Sequence, residues 1–396
     1  LAQLRRDGPS RPGATDTAPA CQGAATNHES DKALTLPPDL ERYLSPSLWR
    51  QINAPAPRQG LLLNALERLR SVLYLLSTYL PLHLAQEKIR RPTAGQVRGR
   101  WLAGSLLFAD VSGFTALSER LAGLGDEGTE QLTRAINDYF SAMLDILARS
   151  GGILLKFAGD ALLAYFPEQE SGEQARWVVR AGQRMMAAMG AFATIDTPLG
   201  SVGLRMKIGI GTGGFLGASV GSLERMEYVV LGETVARTLA AEGAAEAGQV
   251  VADGATAAHL DPACHTQLAG GFQCIDQESG ADLGSYEIKA ETRRARGAIP
   301  WSASPHALVA QIEIALRQIQ ALVPYLSAEL VARIVGQATQ RRVESENRPA
   351  TVMFVNFTGL EPLLAAWGEA GARRVTGLLD DYFRAMYQII AGRGGV

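Results

Sequence analysis

Three cysteines, Cys21, Cys264 and Cys274, are all that 396 residues contain. They are too few and too scattered for a disulfide framework, so free thiols in a reducing compartment are expected. No apolar run of about 18 residues occurs, so no transmembrane segment is expected. The apolar stretch over residues 61–84 is broken by Glu67, Arg68 and Arg70, as in a water-facing helix. Excess charge is also missing. The 38 basic and 40 acidic residues leave a net charge of −2, which favours neither a nucleic-acid nor a membrane partner. The five histidines, His259 and His265 among them, lack metal-ligand spacing. No Walker A pattern is present. Gly209-x-Gly211-x-x-Gly214 mimics a dinucleotide fingerprint, but it reads as a strand and its turn with no helix following, hence as coincidence. The N-terminal residues do not read as a signal peptide, and none is expected. Leu1 stands where Met would, and Gly394-Gly395-Val396 interrupts a pattern, so a fragment of a longer protein is expected.

What is present is a chain 47% hydrophobic, ample for more than one core. Residues 1–36, rich in Pro, Gly, Ala, Thr and Ser, are expected to be disordered. Residues 37–100 read as a helical segment and linker. Leu62, Leu66, Leu69, Leu73, Leu76 and Leu80 mark one helix face, and a second short helix runs to about Ile89 before a basic linker over 90–100. Residues 101–292 read as one domain. Strands are expected at 106–109, 153–156, 161–166, 204–211, 226–231 and 249–252. Helices are expected after Asp110, along the face of Leu132, Ile136, Tyr139, Phe140, Met143, Leu144 and Leu147, and over 173–192 and 234–247. Phe157-Ala158-Gly159-Asp160 reads as a tight turn, and Met185, Met186 and Met189 as core filler. The order β-α-β-β-α-β predicts an α+β, ferredoxin-like fold. Small strands and a helix follow from residue 254, then a helical linker over 293–349 and an apolar strand over 350–355.

The second half repeats the first. Tyr79-Leu80 recurs as Tyr325-Leu326 and Phe108 as Phe354, both 246 residues on. Asp138-Tyr139-Phe140 recurs as Asp381-Tyr382-Phe383, 243 residues on. Residues 350–396 therefore read as the start of a second, truncated copy. At the longer offset Asp110 becomes Asn356, a poorer ligand for Mg²⁺.

The chemistry sits between residues 106 and 166. Asp110 and Asp160 each follow an apolar strand segment. Ser112-Gly113-Phe114-Thr115 feeds a helix whose first N–H groups suit phosphate oxygens. An Asp after a strand is commonly a turn former. Two of them beside a phosphate-suited turn point to phosphoryl chemistry assisted by two divalent ions about 3.5–4 Å apart.

FADVSGFT (residues 108–115) and LLKFAGDALLAYF (residues 154–166) resemble the catalytic domain of class III adenylyl/guanylyl cyclases. MKIGIGTGGFLGASVG (206–221) and EYVVLGETV (227–235) extend the likeness over about 101–253. The tandem arrangement is most similar to the bicarbonate-regulated soluble adenylyl cyclases and their bacterial relatives. The resemblance implies two metal ions, Mg²⁺ or Mn²⁺, held by Asp110, Asp160 and the Val111 carbonyl. It implies Ser112, Gly113, Phe114 and Thr115 around the triphosphate of ATP, and attack of the ribose 3′-oxygen on the α-phosphate to give cyclic AMP and pyrophosphate. It also implies a cytoplasmic location and face-to-face pairing of the two copies.

Departures from the family pattern matter equally. The transition-state Asn and Arg of G-x-x-V-N-x-x-x-R fall at Ala236 and Ala240, and the base-reading position at Val229. One of two pseudo-symmetric sites should be dead, and the other should need the second copy for those groups. Residues 1–396 alone are expected to be inactive. Lys156 falls in the dead site, where the relatives hold bicarbonate; their partner Arg falls at Leu239, with Arg237 nearby. The alternatives are a guanylyl cyclase and a catalytically inactive nucleotide- or anion-binding regulatory module.

Overall fold

The structure, a computed structural model, describes residues 36–54, 59–170, 172–198, 200–276, 304–338, 351–353, 355 and 358–395. The expected N-terminal disorder (but for Leu36), Cys21, Phe354, Asn356 and most of the 293–303 and 339–350 linkers lie outside the described residues.

Helices come first: α1 (Pro46–Ile52), α2 (Gln59–Thr78) and α3 (Leu82–Arg90). Of the predicted leucine stripe, Leu62, Leu66, Leu69 and Leu76 are buried on α2, while Leu73 is half-buried and Leu80 lies beyond the helix end. Then comes β1 (Arg98–Ser112), far longer than the predicted strand and absorbing the end of the basic linker. Next stand α4 (Phe114–Ala122) and α5 (Asp126–Arg149), followed by β2 (Ile153–Ala158) and β3 (Ala161–Pro167). Phe157 and Ala158 belong to β2, so the expected four-residue turn shrinks to Gly159-Asp160; Gly159, at φ 67°, supplies the left-handed step. α6 (Glu173–Ala188) ends in a 3₁₀ turn (Met189–Phe192), and the small hairpin β4 (Ile195–Thr197) and β5 (Gly200–Val202) follows. β6 (Arg205–Gly221), β7 (Met226–Leu231), α7 (Glu233–Ala244), β8 (Val250–Ala252), α8 (Gly254–Ala257), β9 (His265–Gln267) and β10 (Gln273–Ile275) complete the domain.

The sheet runs β2-β3-β1-β6, each neighbour antiparallel to the next. That is the strand order of the ferredoxin-like βαββαβ core, as predicted. β6 then pairs with β8 in parallel and, further along, with β7. Leu107, Ala109 and Val111 of β1 face a core shared with α4, α5 and α6, where Tyr139, Met143, Leu162, Phe166, Met185 and Ile208 are buried. Leu106 and Phe108 face the other side, against Leu163, Tyr165 and Phe215. Both faces are covered, which is why β1 reads as an unbroken apolar run.

One expectation fails at Gly209-x-Gly211-x-x-Gly214. These residues do not turn; they lie inside the 17-residue strand β6. A Cβ on Gly209 would stand 2.3 Å from the Thr238 carbonyl oxygen and from the Glu242 nitrogen, and one on Gly211 2.5 Å from Thr238 Oγ1. The glycines let the backbone of α7 approach the sheet.

The C-terminal helices are α9 (Pro305–Leu322), α10 (Ala328–Gln337), α11 (Leu360–Trp367) and α12 (Ala372–Ala391). α2, α3, α4 and α5 start at 59, 82, 114 and 126, and these four start at 305, 328, 360 and 372, each pair 246 apart. The shift to 243 at Asp381-Tyr382-Phe383 therefore falls inside α12. Residues 351–353, expected in a strand, are in none. α2 packs along α9. Leu360, Leu364, Val375 and Leu379 cover Leu216, Ala218 and Val220 at the far end of β6, and Asp380 accepts a hydrogen bond from the Gly221 N–H at 2.7 Å. Among the described residues no helix is long and apolar enough to cross a membrane.

The helical segment docks on the sheet through polar contacts. His83 Nε2 pairs with the Tyr228 hydroxyl at 2.8 Å, and the Tyr325 hydroxyl with Ser219 Oγ at 2.8 Å. Burial, aided by the nearby Arg100 charge, lowers the His83 pKa from 6.5 to about 4. Above pH 6.5 the ring is neutral both folded and unfolded. Between 6.5 and 4 only the unfolded chain gains the proton, so stability falls as pH drops through that window and levels off below it. A loss of up to about 3 kcal/mol is expected across it. Thermal unfolding of the native chain and of His83→Gln, from pH 7 to pH 4, checks this; the variant should lose that share of the slope.

Candidate functional site

Asp110 lies near the C-terminal end of β1, and Asp160 in the β2–β3 turn. β1 and β3 are in register at Ala109↔Leu162, so Asp110 is one step beyond that pair and Asp160 two. Adjacent strands run about 4.7–4.9 Å apart, so the pairing brings the two carboxylate-bearing segments side by side. Both acids are half-buried. Neither has an ion-pair partner among the described residues. Two neighbouring, uncompensated carboxylates fit a divalent cation, since Mg²⁺ is commonly held by one or two carboxylates with phosphate oxygens and water completing the shell. No cluster of three or more His, Cys, Asp or Glu able to hold a metal occurs among the described residues. Val111 is 2% exposed, its side chain committed to the core, so only its backbone could serve as a ligand.

Ser112 ends β1, and Gly113 caps α4 at φ 110°. A Cβ there would stand 2.6 Å from the Gly203 carbonyl oxygen, so a side chain fits neither the space nor the backbone angle. No side chain caps α4, which leaves its first N–H groups available to an anion. Phe114 turns into the core while Thr115 is exposed.

Two nearby residues escaped notice in the sequence. Lys207 sits opposite Asp110 in the β1–β6 register, and its ammonium pairs with Glu242 at 2.6 Å. The second is Tyr139, read only as part of an apolar stripe. It is wholly buried and its hydroxyl has no hydrogen-bond partner. Burial raises its pKa, and the charges of Asp160 and Asp110 raise it further. An unpaired buried hydroxyl costs about 1–3 kcal/mol.

Lys156 is exposed on β2, in the row Lys156–Leu163–Phe108 across three strands. It lines a cavity of about 400 Å³ with Tyr228, Val229, Leu231, Leu379 and Tyr382. Arg237 is not a second cation there. Its guanidinium donates to Asp253 at 2.9 Å, Glu233 at 2.8 Å and the Thr212 carbonyl at 3.0 Å. Leu239 is exposed, as are Ala236 and Ala240 on α7. Asp253 is buried and also accepts from the Thr256 N–H at 2.8 Å and hydroxyl at 2.7 Å. Removing Asp253 strands those donors. Asp253→Ala should cost about 3 kcal/mol, the low end for a buried pair because Arg237 is partly exposed. The melting temperature should fall by roughly 6–12 °C in a thermal scan.

Residues 103–279 match the family described as "Adenylate and Guanylate cyclase catalytic domain". Adenylate cyclase type 10 of Oryctolagus cuniculus is 33% identical over 150 residues, covering 37% of this chain and 9% of that protein. The type 10 enzyme of Homo sapiens is 26% identical over 271 residues, covering 64% of this chain and 16% of that protein. Adenylate cyclase 1 of Rhizobium meliloti (strain 1021) is 26% identical over 233 residues, covering 58% of this chain and 34% of that protein. The chain thus spans a small part of the curated relatives it matches. Among solved structures, the adenylyl cyclase CyaB from P. aeruginosa is 25% identical with a TM-score of 0.37, covering 46% of this chain and 98% of that one.

Proposed function

We propose that residues 103–279, which match the adenylate and guanylate cyclase catalytic domain, supply the metal-binding half of a site converting ATP to cyclic AMP and pyrophosphate. The observation that carries this proposal is the pair of carboxylates, Asp110 and Asp160, without ion-pair partners among the described residues and beside the uncapped N-terminus of α4. Two divalent ions, Mg²⁺ or Mn²⁺, would lower the pKa of the ribose 3′-hydroxyl and offset phosphate charge. Asp110, Asp160 and the Val111 carbonyl would hold them. Residues 112–115 would receive the triphosphate on backbone N–H groups, and Lys207, opposite Asp110, would swing from Glu242 to a phosphate oxygen.

The other half of the site must come from elsewhere. Ala236 and Ala240 can neither orient a ribose nor balance charge on the transferring phosphate, and Val229 cannot read a base by hydrogen bonding. We take α9 to α12 as the opening of a second cyclase copy whose remaining residues would supply Asn, Arg and the base-reading group, and so decide between ATP and GTP. Lys156 would then belong to the degenerate site. A second reading, a regulatory small-anion site taking bicarbonate, is favoured by the cavity that Lys156 lines, although Arg237 is committed to Asp253.

The test is cyclic-nucleotide formation from ATP and from GTP, assayed separately with Mg²⁺ or Mn²⁺, by a chain carrying a complete second copy, beside residues 1–396 alone. Cyclic AMP is expected from the longer chain and none from the shorter. Asp110→Ala should lower the rate by roughly 10²–10³-fold or more. Lys207→Ala should raise the KM for ATP roughly tenfold. No product from either nucleotide would hand the chain to the binding-module reading, and bicarbonate titration of Lys156→Ala would then be decisive.

A further inference from the structure

Among the described residues, Tyr139 is a fully buried side chain near the site whose hydroxyl has no hydrogen-bond partner. It sits on α5 between the two segments that carry the carboxylates. Its ring packs edge-on against Phe114 at 5.5 Å, four residues past Asp110. The adjacent ring of Phe140, 5.0 Å from it, packs against Phe157 at 4.8 Å, three residues before Asp160. Phe192 closes another side at 5.7 Å. The ring thus touches Phe114, just past Asp110, directly, and reaches the Asp160 hairpin through Phe140 and Phe157.

A phenylalanine would fill this place at no cost in packing and would leave no orphaned donor. The hydroxyl is 0% exposed and unpaired. Within its electrostatic reach lie Asp160 and, more weakly, Asp110, neither with a hydrogen-bond partner among the described residues. A donor lacking an acceptor beside acceptors lacking a donor is the arrangement expected of an outer layer to a cation site, which tightens when the ions draw the carboxylates into place.

We infer that Tyr139 is a positioning residue for the carboxylate pair, its hydroxyl donating to Asp160 when divalent cations are held there. This rests on the cation-site reading proposed above. The hydroxyl would fix which Asp160 oxygen turns to the ion, and so raise cation affinity without touching nucleotide.

The experiment uses residues 1–396 with Mn²⁺ alone as probe, its binding followed by loss of the free-ion paramagnetic resonance signal. Native chain, Tyr139→Phe and Asp110→Ala are compared, and each is also unfolded thermally in chelator. Tyr139→Phe should weaken Mn²⁺ binding roughly tenfold while its metal-free melting temperature holds or rises, because an orphaned donor has been removed. Unchanged Mn²⁺ affinity overturns the inference. So does a lower metal-free melting temperature, which would mean that the hydroxyl already has a partner in the fold. Loss of binding in Asp110→Ala with none in Tyr139→Phe leaves the cation site standing and removes Tyr139 alone. Equal binding by all three, or no binding by the native chain, removes both. As a second measurement, Mg²⁺ added to the native chain should produce a tyrosine ultraviolet difference spectrum; its absence overturns the inference without any variant.

Discussion

The antiparallel ladder between β1 and β6 is the constraint on which the rest depends. It runs unbroken from Arg98↔Ser219 to Ser112↔Arg205. At one end it sets Lys207 opposite Asp110, and one strand further along β3 brings the Asp160 turn beside them. At the other end Leu216, Ala218 and Val220 provide the apolar floor for α11 and α12. Because side chains alternate along a strand, a one-residue slip would bury Asp110 in the helix-covered core and expose Val111. The core on both faces makes such a slip prohibitive, so packing far from any chemistry fixes the direction in which the carboxylate points.

Asp253 and Asp110 show how one residue type serves two ends. Asp253 is nearly sealed from water, and its oxygens meet a guanidinium, a hydroxyl and a backbone N–H. Every lone pair that burial strips of water finds a donor, which is what a structural acid requires. Asp110 and Asp160 keep partial access to water and have no cationic partner among the described residues. Lys207, the nearest cation by register, pairs with Glu242 rather than with Asp110. Two like charges carried on neighbouring segments repel one another. A divalent ion between them would offset that repulsion, and this contrast with Asp253, more than the strand positions, supports the proposed ligand role.

Much of this was legible beforehand. The β1–α–β2–β3–α–β6 order followed from periodicity, and Asp110 and Asp160 from their places after apolar strand segments. Other features were hidden for identifiable reasons. β6 looked like a strand and a turn because glycines usually interrupt strands. Here they exist to admit α7, a tertiary reason that no local pattern carries. Lys207 is one charge in an alternating strand until the register sets it across from Asp110. Tyr139 satisfied the apolar period of α5 as well as Phe would, so its hydroxyl attracted no notice. The useful signal was there: a hydroxyl on a fully apolar helix face needs a partner. Arg237 is the converse case. Its proximity in sequence to Leu239 suggested a cation for the Lys156 cavity, but Asp253 holds it elsewhere.

The 246-residue spacing of helix starts adds a last step. α2 and α9 pack together, and α3 and the turn at Val323–Tyr325 both reach the sheet, through His83 to Tyr228 and Tyr325 to Ser219. Tyr228 in turn lines the Lys156 cavity. Sites on different helices therefore converge on one short strand, β7, and on the neighbouring end of β6. Tyr228 is buried enough that its hydroxyl titrates well above its ordinary range, so it stays neutral as a partner for His83 around neutral pH. A displacement of α3 would have to break that bond or move β7 with it. Since β7 also carries Val229 and Leu231 into the same cavity wall, the His83–Tyr228 bond links the position of α3 to the shape of that wall.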